Sequence, residues 1–297
     1  MNLNYYFIAN QILYEYGFAL NNQQVVHEWL FAYPRGSQAQ LWFERIYDEE
    51  NDEYNWDLKK LTGQRQFWKK TTRHNALFLS TAGMLNSVKL EPIVNWITNN
   101  LVIFTVKTYL SNVFNFFTVN FCKDVDNKQK ILKFLQAADL NIVDFELEGQ
   151  LNFLHKINET NDLTQFPLEY ESEGTKRLFI FAGPLMDILE KGRILMIDEL
   201  DNSLHPSIVR FMLELIHNPQ LNRHNAQIIF TTHDSSILDN NLLRRDQVWF
   251  VEKDKQQSTQ LLYPLTDFKP RPNESLQKGY IEGRYGALPF IGDLEDF

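Results

Sequence analysis

The chain has a single cysteine, Cys122, among 297 residues. An internal disulfide is therefore excluded, and a reducing cytoplasm is the expected compartment. No apolar run approaches the roughly 18–20 residues that a bilayer span requires, so no membrane partner is expected. The opening Met1-Asn2-Leu3-Asn4-Tyr5-Tyr6 lacks a basic stretch followed by an apolar one, and no secretory leader is expected there. Positive charge is also short. Lys and Arg number 29 against 38 Asp and Glu, a net charge of -9. That rules out a chain-wide basic footprint for nucleic acid. One local exception is the stretch Arg65, Lys69, Lys70, Arg73 and His74 around Trp68, which reads as a solvated helix face.

What remains is an ordinary globular composition, 44% apolar and 23% charged. It is sufficient for one large domain or two modest ones. Tyr14–Leu20, Val25–Tyr33 and Leu41–Arg45 read as antiparallel strands, separated by turns at Asn21-Asn22 and Pro34-Arg35-Gly36. Nothing before residue 10 reads as a complete opening element, and residues 47–57 read as an acidic loop. From about 58 to 140 the periodicity is mostly helical. Ile93, Val94, Trp96, Ile97 and Leu101 form one apolar stripe; Ile131, Leu132, Leu135 and Leu140 form another. Val143–Glu148 alternates as a short strand. After residue 170 strand and helix alternate: a helix from Ser172, a buried strand at Ile194–Ile197, and a helix from Pro206. Further strands are expected at Gln227–Thr231, also buried, and Gln247–Val251. That alternation points to an α/β fold with a parallel sheet and covering helices.

The residues that could do chemistry lie in this last part. Ile194-Leu195-Met196-Ile197 runs directly into Asp198-Glu199. A continuous apolar run suits a strand covered on both faces, and the carboxyl end of such a strand opens on the crevice where α/β proteins bind ligands. Two acids there suit phosphate chemistry: one to hold magnesium through oxygen, the other to orient or deprotonate a water. Solvated acids ending a strand are the plainer reading. Leu200-Asp201-Asn202-Ser203-Leu204-His205 leads to Pro206, which suits the first helical position. Ile228–Thr232 ends in His233-Asp234, which places an imidazole at the same rim; an ordinary loop histidine is the alternative. Upstream, Ser172 is a plausible N-cap, and Gly174 leaves backbone N–H groups open at a helix start that attracts anions. Pro184 should kink or end that helix.

Together these segments resemble the AAA family ATPases with ABC-type heads, a group similar to RecF, SMC and OLD ATPases and often encoded beside bacterial restriction or phage-defence genes. The resemblance rests on Ser172-Glu173-Gly174-Thr175-Lys176-Arg177, Asp198-Glu199, Asp201–Pro206 and Thr231–Asp234. It extends to the closing Lys278–Pro289 and to Tyr14–Arg45, which is similar to the β-meander near the nucleotide. It implies a partial ABC-type head in three parts: a β-meander over 1–46, a helical insertion over 47–170, and a signature, Walker B and switch-histidine lobe over 171–297. By the same resemblance ATP and Mg²⁺ are the cofactors. Asp198 would hold the metal, and Glu199 would be the catalytic base or water-positioning carboxylate. His233 would sense the γ-phosphate, and Asp201 would be the dimer-contact acid. Ser172 and Gly174 would close on ATP bound to a second subunit. Homodimers, a nuclease partner and nucleic acid are the partners such proteins have.

One part of the pattern is absent. None of the twelve glycines starts the phosphate loop G-x-x-x-x-G-K-[S/T]. Gly192, followed by Arg193, comes nearest. A truncated member is the expectation, short by roughly 100 residues at its N-terminal side. Losing about four charged hydrogen bonds of roughly 1.5–3 kcal/mol each would leave ATP binding by the chain alone very weak. Exposed apolar surface is expected as well. The alternative is a non-catalytic module docking onto a complete ATPase or nuclease. A nuclease domain of the OLD type does not fit the short tail, where Asp293, Glu295 and Asp296 are the only acids.

Overall fold

The computed structural model describes residues 2–105, 113–138, 141–147, 151–157, 162–253, 260–271 and 274–289. Leu140, Glu148 and the tail acids Asp293, Glu295 and Asp296 lie outside them. The chain divides into two compact units, residues 1–101 and 102–297.

The first unit is a five-stranded antiparallel meander with helices against one face. Strands β1 (Asn2–Ala9), β2 (Ile12–Leu20), β3 (Val25–Tyr33), β4 (Gln40–Asp48) and β5 (Glu53–Asp57) pair in chain order. The three expected strands are present. Two expectations fail. Residues before 10 form β1, paired along its length with β2 through a two-residue hairpin. Both hairpin residues, Asn10 and Gln11, have positive φ, the geometry that matches strand twist. Residues 47–57 are not a loop, because β4 continues to Asp48 and β5 returns from Glu53. Their acids hide an alternation in which Tyr54 and Trp56 stand beside the Arg45 guanidinium, at 5.1 and 5.6 Å.

Inward residues alternate as strand geometry requires. Tyr14, Tyr16, Leu30, Ala32 and Phe43 share a core with Phe78, Leu79, Ala82 and Ile93. These last come from helices α2 (Phe78–Met84) and α3 (Glu91–Asn100), and α1 (Arg65–Thr71) adds Trp68. Gly17 is required where it stands: a Cβ there would come within 2.1 Å of the Trp29 ring on the paired strand.

The second unit centres on a helix. A three-stranded sheet has the order β11 (Gln227–Phe230), β10 (Ile194–Ile197), β6 (Leu101–Phe104). Strands β10 and β11 are parallel, Ile197 opposite Phe230. Helices α4 (Val113–Phe121) and α5 (Val125–Ala137) precede an antiparallel sheet of β7 (Ile142–Glu146), β8 (Asn152–Lys156) and β9 (Leu163–Pro167). Helix α6 (Glu173–Lys191) is buried along most of its length and shares a core with α5, β7, β8 and β10. Helix α7 (Pro206–His217) starts at Pro206 as expected. Among the described residues no helix is long and apolar enough to cross a membrane.

Three further expectations are corrected in this unit. Of the two effects expected of Pro184, a kink or an end, the end does not occur: α6 continues to Lys191. Proline has no N–H for the carbonyl four residues back, but the Thr118 hydroxyl on α4 donates to that Ile180 oxygen at 3.1 Å. Strand β11 is not buried on both faces: Gln227 and Ile229 are exposed, as befits a sheet edge. Strand β12 (Trp249–Lys253) does not join the parallel sheet but pairs antiparallel with β13 (Gln260–Pro264). The pair packs with α8 (Leu276–Ile281) through Phe250, Leu276 and Tyr285. Gly192, nearest to a phosphate-loop glycine, serves as the C-cap of α6 at φ 67°, its N–H donating to Ile188 O.

Candidate functional site

Strands β10 and β11 end side by side, and the loops that follow are tied together. The Thr231 N–H donates to Ile197 O, and the Leu200 N–H donates to Thr231 O, both at 3.0 Å. The Thr231 hydroxyl then does two things. It accepts the Glu199 N–H at 2.8 Å and donates to Asp198 Oδ1 at 2.7 Å. From the other edge, the Asp198 N–H donates to Phe104 O at 3.0 Å. Beyond Thr231, the His233 N–H donates to Asp201 Oδ1 at 3.3 Å. Asp198, Glu199, Asp201 and His233 therefore share one rim. His233 is attached through its backbone, and its side chain is exposed.

Ser172 and Gly174 sit at the start of α6. Ser172 caps it, its Oγ accepting the Thr175 N–H at 3.1 Å. A Cβ on Gly174 would stand 3.1 Å from the Ser203 carbonyl oxygen, so the helix start lies against the loop after Asp198-Glu199. Five residues into the segment, buried Arg177 donates through Nη2 to Glu199 O at 3.0 Å. The guanidinium also lies 5.1 Å from the Phe181 ring one turn on. The six residues singled out in the sequence are thus gathered at one end of this unit.

The loop holds a backbone that side chains ordinarily avoid. Glu199 and Ser203 have φ of 56° and 62°, a region that costs a non-glycine residue roughly 1–2 kcal/mol. Two hydrogen bonds to Glu199 O, from the Asn202 N–H and from Arg177, hold the conformation together with Thr231. The carboxylate of Glu199 is left at the surface, with the Asn202 amide 3.3 Å away. The result is a carboxylate with a fixed origin and a free face, as a water-positioning group needs.

Two residues essential to this arrangement, Thr231 and Arg177, lie inside the segments singled out in the sequence but have no role assigned there. Thr231 is one of a threonine pair, and only the strand register selects which of the two reaches Asp198. Arg177 does carry a signal: it is a charge in the helix face continued by Phe181 and Leu185.

Among the described residues no three His, Cys, Asp or Glu side chains converge as a metal cage. Magnesium does not need one, since it takes one or two carboxylates and fills its shell with phosphate oxygens and water. Asp198, exposed and already oriented by Thr231, fits that requirement. The phosphate side does not fit, because no phosphate loop occurs in the sequence.

A family model described as AAA domain, putative AbiEii toxin, Type IV TA system matches residues 3–239. No curated protein matches the chain. Among solved structures, the SMC head domain from Thermotoga maritima is 11% identical, covering 85% of this chain and 74% of that chain at a TM-score of 0.41. An SMC head bound to the C-terminal winged-helix domain of ScpA is 12% identical, with 82% and 76% covered and a TM-score of 0.41. A chain described under ATP-driven dimerization and DNA-stimulated activation of SMC ATPases is 16% identical, with 53% and 90% covered and a TM-score of 0.36.

Proposed function

The chain belongs to the AAA-domain family of putative AbiEii toxins of Type IV TA systems, and from that premise we propose that its rim is the magnesium, water and γ-phosphate side of an ATP-hydrolysing site. Asp198 supplies one oxygen to the magnesium shell. Glu199 orients the attacking water and takes its proton. His233 donates to the terminal phosphate, and Asp201 holds the His233 loop in place. Ser172 and Gly174 present the start of α6 to the nucleotide of a second subunit. Bound magnesium would neutralise phosphate charge as the terminal bond breaks. The observation that supports this reading best is the Thr231 hydroxyl, which joins the tips of two parallel strands, binding the Asp198 carboxylate and the Glu199 backbone N–H at once.

The missing phosphate loop makes the proposal specific. These 297 residues carry half of a site, and the phosphate loop would have to come from residues outside them. Titration of the chain alone with MgATP should give no saturable heat in the micromolar range; a micromolar Kd would overturn this part. Supplying the phosphate-loop segment that the family pattern calls for should stimulate phosphate release, and Glu199→Gln should remove roughly 10²–10⁴-fold of that stimulation. Stimulation that survives both Glu199→Gln and His233→Ala would instead support the non-catalytic docking module, a reading favoured by the same absent loop. A homodimeric head, a nuclease partner and a setting in phage defence complete the proposal. Loss of protection against phage on Glu199→Gln, in cells that carry the complete system, tests the last.

A further inference from the structure

An acidic protein here carries a cation-rich stretch with no acid in it. Residues 58–90 hold seven Lys or Arg and no Asp or Glu, within a chain of net charge -9. The stretch builds the loop before α1, then α1 and α2, and the turn before α3. Among the described residues only Lys59 has a carboxylate at ion-pair range, Asp57 at 3.6 Å. Lys69 and Lys70 suit the C-terminal end of α1, where the helix dipole favours cations. That accounts for two of the seven and leaves Lys60, Arg65, Arg73 and Lys89 with neither a carboxylate at ion-pair range nor the C-terminal end of a helix.

Several of these cations are fixed in place. Lys89 lies 4.4 Å from the Trp42 ring and donates to the Lys60 carbonyl. Arg65 donates to Leu58 O at 3.0 Å, and Lys69 lies 5.7 Å from the Trp56 ring. Arg65 and Lys69, four apart, share a flank of the helix. Burial and the neighbouring charge of Lys60 push the Lys89 ammonium below its ordinary range, as expected where cations crowd without an acid. Lys89 also lines a cleft of about 440 Å³ with Gly63, Gln64, Trp68 and Asn86.

We propose that the face made by α1, the loop before it and the turn at Asn86–Lys89 binds the phosphate backbone of duplex nucleic acid, without sequence preference. Charge complementarity selects the occupant, since a surface this rich in cations matches a regular polyanion. A membrane surface is the poorer match. Phe67, Met84 and Val88 are 50%, 85% and 81% exposed, but they stand singly on three elements. Of the two aromatics on α1, Trp68 faces the core, so the helix has no apolar face to insert.

The full chain carries the test, with a fluorescein-labelled DNA duplex read by anisotropy at about 50 and 200 mM salt. Binding should fall steeply with salt. The triple substitution Lys69→Glu, Lys70→Glu, Arg73→Glu should weaken it at least about tenfold and reduce the salt slope by about three. Lys123→Glu, Lys133→Glu, Arg223→Glu makes the same change of charge in the other unit and should leave affinity within about twofold. The glutamine versions at 69, 70 and 73 repeat the test should the charge reversals lower the melting temperature. The proposal fails if the duplex does not bind at the lower salt or if the first triple variant binds like the parent. It also fails if both triple variants lose alike, or if phosphatidylserine vesicles capture the chain and the duplex does not.

Discussion

Each of the two units holds one glutamate firmly, and they hold it in opposite ways. In residues 1–101, Glu28 and its partner Arg45 are both 0% exposed. The Glu28 carboxylate accepts four hydrogen bonds: Arg45 Nε at 2.8 Å, the Tyr16 hydroxyl at 3.0 Å, and the N–H groups of Phe78 and Leu79 at 2.7 and 3.0 Å. It ties strands β2, β3 and β4 to the start of α2. In residues 102–297, Glu199 is held by its backbone, through Thr231, Arg177 and the turn to Asn202, while its carboxylate faces outward. A side chain held on every side can only support structure. A side chain with a fixed backbone and a free end can meet a ligand.

Removing each support should separate the two roles. Glu28→Ala leaves a buried guanidinium and two backbone N–H groups unpaired, and should cost about 3–5 kcal/mol. Urea unfolding followed by tryptophan fluorescence reads this directly, because five of the six tryptophans lie in the first unit; a cost below about 1 kcal/mol would mean the pair is not structural. In the second unit, Thr118→Val strips the Ile180 carbonyl of its donor beside Pro184. It should cost about 1–3 kcal/mol in a urea melt followed by Cys122 accessibility. Cys122 suits that reading, since burial pushes its thiol up to about 12 and should keep it unlabelled at pH 8 until the unit opens.

Glu199→Gly should act in the opposite direction from Glu28→Ala. It removes the carboxylate but relieves a positive φ, so the melting transition should rise by the equivalent of about 1 kcal/mol. No gain would show that the loop carries no strain.

The smallest expected effect is in pH. Burial raises the Glu28 carboxyl, against the pull of Arg45 and the N–H donors. A raised acid contributes stability that is complete below the ordinary glutamate value and is lost as pH rises through the higher folded value. Asp239 and Glu274 in the second unit are lowered, the first by the Asn241 N–H and Arg210, the second by the Arg271 N–H and Tyr285. Their contribution is present above the ordinary carboxylate range and is lost as pH falls through the lower folded values. Glu15 and Asp48 in the first unit are lowered as well, but there the gain at Glu28 opposes their loss. Acidifying from neutrality should therefore loosen the second unit first, read by Cys122 labelling, while tryptophan fluorescence still reports an intact first unit. The reverse order would overturn the contrast.

Much of this was legible in residue order, and what was not has definite physical causes. The three central meander strands, the Ser172 cap, the Pro206 start and the Asp198-Glu199 strand end all follow local rules of alternation, capping and ring geometry. Strand β5 was hidden because acids dilute its alternating aromatics. The persistence of α6 through Pro184 was hidden because the donor that satisfies Ile180 comes from Thr118, 62 residues away. Strand β12 reads the same alone whether its neighbour is parallel or antiparallel.

By itself the sequence determined which residue types were available for phosphate chemistry, and that no phosphate loop is among them, because those are matters of identity and spacing. Only the tertiary structure decided which threonine joins the two acids, that Arg177 holds the Glu199 backbone, and that Gly192 ends a helix. Each of those is a hydrogen bond or a close approach between segments that meet only when the chain has folded.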